Sequence, residues 1–180
     1  MRSVPVGAVV AAIVMFALGF VFFGLIDITR YMVAPLDPGT AAAVQGTLGA
    51  ALPETGTYAV PLDEEAWMRG PSAVILYVAA GGAPAMGMAM GMGFVHFLLV
   101  ALLLGYGLKA AGGDFGRQAR ILLWFAFAAT AFMHLGDPIW YGFAWRANLV
   151  EFVADSVMLI AGGLVLARWF TSERSAAASG

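Results

Sequence analysis

Cysteine is absent from the 180 residues, which excludes disulfides, thiolate metal sites and thiol catalysis. Charge is nearly as scarce. Only 11% of residues are Asp, Glu, Lys or Arg, against about 25% in soluble globular domains. The nine basic residues stand singly, so the basic footprint of a nucleic-acid binder is missing. Histidine occurs twice, at His96 and His134. No GxSxG, P-loop, HExxH or strand-led GxGxxG is present, which points away from an enzyme.

What fills the chain instead is apolar. The composition is 62% hydrophobic and mean hydropathy is +0.88, which places the chain among membrane proteins. Four long apolar runs are expected to span a bilayer, at about 4–28, 86–109, 119–135 and 148–170. A run of about 20 apolar residues covers a hydrocarbon core of ~30 Å. The first run follows Arg2 as a signal peptide would. It is longer than a signal h-region, and no small-x-small cleavage site follows, so it is read as an uncleaved span. Pro5 is tolerated in its first turn.

Residues 31–83 are too long for a structureless loop. LDPGTAAAVQGTLGAAL reads as a short helix beginning near Asp37 to Thr40. TGTYAVPL (Thr55 to Leu62) and SAVILYVAA (Ser72 to Ala80) have the β-branched and aromatic content of strands, with DEEAWMRGP as the hairpin connection. The expected fold is thus an all-α membrane protein. It is a single domain over 1–180, a four-transmembrane-helix bundle with a small extracytoplasmic α/β cap between helices 1 and 2. The acidic Asp63-Glu64-Glu65 is a solvated hairpin tip or a weak cation or partner contact, and Trp67 beside it is either a binding contact or buried. IWYGFAW (Ile139 to Trp145) fits an interfacial aromatic belt. The tail 171–180 is small, polar and expected to be disordered.

The basic residues orient the chain. With the N-terminus inside, Arg2, Lys109, Arg117, Arg120, Arg168 and Arg174 are cytoplasmic, while Arg30, Arg69 and Arg146 lie outside. This excess favours N-in, C-in topology. Asp114 and Glu173 then fall inside and the remaining acids toward the outer end.

Counting from those basic residues gives depth. His96 lies 13 residues from Lys109, His134 lies 14 from Arg120, and Asp155 lies 13 from Arg168. At ~1.5 Å per residue all three are about 20 Å above the inner boundary. Glu151 sits one turn from Asp155 on the same face. Ionisable groups in spans face the bundle interior and are functional candidates. Four readings are open for His96, His134, Asp155 and Glu151. They are a hydrogen-bonded layer holding helices together, a site for a transition metal such as zinc, iron or manganese, a haem b between the two histidines, and a proton or ion relay. Met88, Met92 and His96 share one helical face, a thioether–imidazole set suited to Cu(I). The same methionines also serve as adaptable packing. The interleaved Gly87, Gly91 and Gly93 read as close helix packing.

AATAFMHLGDPIWYGFAW followed by FVADSVMLIAGGLVLARWF, the opening GAVVAAIVMFALGFVFFG and the phrase TGTYAVP are similar to a group of short bacterial inner-membrane proteins with no assigned function. The resemblance covers most of the chain. It implies four spans with an extracytoplasmic insert after the first, and it carries over no activity or site residues.

The resulting expectation is a non-enzymatic bacterial inner-membrane protein that acts as an accessory or assembly subunit. Its contacts are the lipid bilayer and a protein partner or further copies of itself. The alternatives are a metal- or haem-binding membrane protein and a small oligomeric channel or carrier.

Overall fold

A computed structural model describes residues 3–80 and 86–172. Arg2, Glu173 and Arg174 of the charge balance, the last residues of the expected insert and the tail beyond 172 lie outside the described residues. The chain forms two compact units, Pro35–Met86 and the rest.

The larger unit contains the long helices. Helix α1, Val4–Gly19, carries Pro5 in its first turn, where the missing N–H costs nothing. It continues as a π-helical segment, Phe20–Leu25, and ends at Asp27, whose φ of 53° is left-handed. Asp tolerates that conformation because its short side chain bonds locally, here by accepting from the Thr29 hydroxyl. Helix α4, Met86–Ala111, is the second long helix. Gly112 and Gly113, both at positive φ, turn the chain into helix α5, Phe115–His134. Asp114 caps α5 by accepting from the Arg117 N–H at 2.8 Å, so this helix starts earlier than the expected 119. The Gly136-Asp137-Pro138 stretch forms a short helix α6, Gly136–Trp140, with Pro138 in its first turn. Helix α7, Trp145–Leu166, follows and passes into a π-helical end, Ala167–Thr171. Four helices are therefore long and apolar enough to cross a membrane.

Helix α7 is the centre of the bundle, packed against both α1 and α5. The face α1 offers is small: Gly7, Ala8, Ala11 and Ala12 are buried, with Met15 beyond them. Such a face lets backbones approach closely. Helix α5 buries one ridge at every fourth residue, Gln118, Leu122, Ala126, Thr130 and His134, the i±4 row that packs into a neighbouring groove. Helix α4 joins the core through Ala101, Leu104 and Leu108, and Phe16 of α1 meets Phe94 and Phe97 edge-on. The close glycine contacts are not at Gly87 and Gly91, where an added methyl meets nothing within 4 Å among the described residues. They are at Gly162, Gly163 and Gly105, where it would meet Met15, Leu122 and Val4 at 2.7, 2.3 and 2.8 Å. Those positions face other helices; the first turns of α4 do not.

The smaller unit has helix α2, Pro38–Ala51, capped by Asp37, which accepts from the Gly39 and Thr40 amides at 3.0 Å. Strands β1, Gly56–Val60, and β2, Ala73–Tyr77, pair antiparallel with Tyr58 opposite Ile75. Their connection is not a plain loop. It forms a helical turn α3, Glu64–Arg69, because Asp63 caps it by accepting from the Ala66 N–H and Gly70 ends it at φ 63°. Trp67 is half-buried on α3. One sheet face, with Tyr58, Ile75 and Tyr77, is half-buried, and the other is exposed. No residue from 35 to 80 is fully buried.

Candidate functional site

The site grows out of the α5 ridge. His134 is the last residue of α5 and is 8% exposed. Two carboxylates of α7, one turn apart, reach it. Its Nε2–H donates to Asp155 Oδ2 at 2.8 Å, and its Nδ1 faces Glu151 Oε2 at 3.5 Å. The acids keep one edge open, with about a third of each side chain exposed. One turn down the ridge, the Thr130 hydroxyl donates to the Ala126 carbonyl at 2.8 Å. That proton being used, the Ser156 hydroxyl donates to Thr130 Oγ1 at 2.7 Å. Two successive turns of α5 are thus tied to α7 by polar bonds.

The ridge's other end repeats the device. Gln118 is fully buried; its Nε2 donates to the Leu108 carbonyl of α4 at 3.1 Å, and its Oε1 accepts from the Thr171 hydroxyl. Among the described residues, no buried side-chain nitrogen or oxygen lacks a partner. This is what an apolar surrounding demands of polar groups.

Of the residues singled out from sequence, the fold brings His134, Asp155 and Glu151 together. His96 is exposed on α4, its ring 5.6 Å from that of Phe97, and it meets Asp155 only across a cavity of about 150 Å³ that both line. Met88 and Met92 are exposed on α4. Among the described residues, no three His, Asp or Glu side chains converge as a metal-binding group. The two carboxylates approach opposite ring nitrogens of His134, so an iron or other metal ion ligated by that ring has to displace one of them. Thr130 and Ser156 escaped the sequence reading, because hydroxyls in apolar runs look unremarkable singly; Gln118 fell just before the expected third run and Thr171 in the tail expected to be disordered, whereas both are helical and bonded to each other. The four-residue spacing of Gln118, Leu122, Ala126, Thr130 and His134 was the available signal.

Charge sorts along the bundle. Lys109, Arg117, Arg120 and Arg168 gather at the α4–α5 turn and the end of α7, where Arg168 lies over the Phe115 ring at 5.7 Å. At the other end Arg30 and Arg146 both lie over Tyr31, at 4.9 and 5.4 Å, in company with Asp27, Asp137, Glu151 and Asp155.

Among the described residues, four helices long and apolar enough to cross a membrane, fastened by polar pairs, form a helical bundle. No protein-family model, curated protein or solved structure matches the chain.

Proposed function

We propose that the protein is a non-enzymatic accessory or assembly subunit of a larger complex in a bacterial inner membrane, with both termini cytoplasmic. The concentration of Lys109, Arg117, Arg120 and Arg168 at one end of the bundle supports that orientation, and it puts the 31–83 insert on the outer side. The polar layer then serves as a fastener: His134, Asp155 and Glu151 are engaged with one another.

One observation carries the subunit reading. The smaller unit has no fully buried residue between 35 and 80, yet Leu62, Met68 and Leu76 are 87%, 80% and 81% exposed. A two-stranded sheet is marginal alone, and apolar side chains so exposed on so small a unit mark an interaction surface. The partner covers the exposed strand face, where Leu76 pairs with Thr57 and Val74 with Ala59.

The test is the mass of the assembly extracted from native membranes in a mild detergent. Wild type should run as a larger complex. Leu76→Glu and Leu62→Glu should leave the chain in the membrane fraction but reduce that complex by at least tenfold. A wild-type chain that runs alone, or a complex indifferent to both substitutions, refutes the reading.

A further inference from the structure

The bundle holds a second feature, independent of any protein partner. A cavity of about 500 Å³ lies between α4 and α5, lined by Leu103, Leu104, Leu108, Leu122 and Phe125 among others, all apolar. It shares Val100, Ala129, Met133 and Leu159 with the cavity of about 150 Å³ that contains His96 and Asp155, so the two adjoin. From Leu108 to His96 the helix rises about 18 Å. Leu103 and Met133 are exposed as well as lining it, so the groove reaches the outer surface of the bundle.

The groove therefore has two chemically distinct ends. The long part suits an apolar chain. The short part offers an imidazole with no hydrogen-bond partner among the described residues and one carboxylate, Asp155, shared with His134. Around these polar groups stand Met15, Met133, Met158 and Phe97. Thioethers make favourable contacts with aromatic rings, so the lining favours a flat aromatic head over an aliphatic one. Both polar groups lie within candidate spans, where a charged phosphate headgroup would be costly to place. A hydroxyl on the head donates to the carboxylate, and a second oxygen pairs with the imidazole.

We infer that this groove binds a lipid-phase quinol: a neutral aromatic head between His96 and Asp155, with its long apolar chain along α4 and α5. Binding alone is assigned, with no electron transfer.

Decylubiquinol and 1-decanol, titrated against the purified full-length protein in detergent, test this. Wild type should bind the quinol saturably, one per chain, and at least tenfold more tightly than the alcohol of equal chain length. His96→Leu removes one hydrogen bond to the head and should weaken binding about tenfold. His96 is exposed and has no bond to lose in the fold, so the variant should keep the wild-type elution profile. Val100→Phe, at the junction of the two cavities, should abolish saturable binding. Trp124→Ala, on an exposed face away from the groove, should change nothing. Absence of saturable binding to wild type, equal affinity for quinol and alcohol, or wild-type affinity in both His96→Leu and Val100→Phe overturns the inference. Because no partner is present, its failure leaves the subunit proposal standing.

Discussion

Substituting Gly163 with alanine tests how closely α7 packs on α5. The added methyl would lie 2.3, 2.7 and 3.0 Å from three carbons of Leu122, whereas carbon atoms rest at about 3.5–4.0 Å. Leu122 is fully buried but lines the cavity between α4 and α5, so the clash is relieved when Leu122 leaves its rotamer toward that space or when α7 shifts. Overpacking of this kind costs about 1–3 kcal/mol. Leu122→Ala alone leaves a cavity worth about 2–5 kcal/mol. In the double variant the new methyl enters that space, so the two effects should fall short of additive by about 1–2 kcal/mol. Gly87→Ala and Gly91→Ala are controls: nothing lies within 4 Å of either added methyl, and alanine's helix preference should leave them neutral or slightly stabilised. Reversible unfolding in mixed micelles, followed by circular dichroism, reads all five. A harmless Gly163→Ala, strict additivity with Leu122→Ala, or a larger loss at Gly91 than at Gly163 would refute the packing described.

Other predictions concern the polar groups. His134→Ala removes both contacts of the ring and should destabilise the bundle by about 1–2 kcal/mol, with Thr130→Val costing less; equal, negligible losses in the same unfolding assay would deny the fastener role. If the layer is structural, the metal content of the purified protein should be substoichiometric and unchanged in His96→Ala and His134→Ala, and its spectrum should lack a Soret band. Stoichiometric metal lost in either variant would reverse that conclusion. In the smaller unit, hydrogen bonds from the Thr40 side chain first, then from the Thr40 and Gly39 amides, hold the Asp37 carboxyl below its ordinary range. A group depressed by folding contributes fully above its unfolded pKa of about 3.9 and loses that contribution as pH falls through the lower folded value. Exchange of the Gly39 and Thr40 amides in the full chain, corrected for intrinsic rate, should therefore accelerate as pH falls through that window. Asp37→Ala should remove the transition, and an unchanged profile would contradict the cap.

Four long apolar runs, interrupted at Asp27, Asp114 and Gly136-Asp137, determine the helices by themselves, since a stretch without charge has no other way to satisfy its backbone in lipid. The two strands were legible for the same local reason, the density of β-branched and aromatic residues in Thr55–Leu62 and Ser72–Ala80. Helix ends were less so, because Asp114 and Asp63 act through single capping bonds whose geometry a residue string does not display. Depth along each span was also countable, and it placed His96, His134 and Asp155 at one height, with Glu151 a turn away. Azimuth was not. Whether a side chain at a given depth meets a neighbour depends on how each helix is rotated about its axis, and packing sets that rotation. The tertiary structure turned His134 toward α7 and left His96 at the mouth of a groove. It also moved the close glycine contacts from the methionine-rich start of α4 to Gly162 and Gly163, where Met15 and Leu122 come to rest against the backbone of α7.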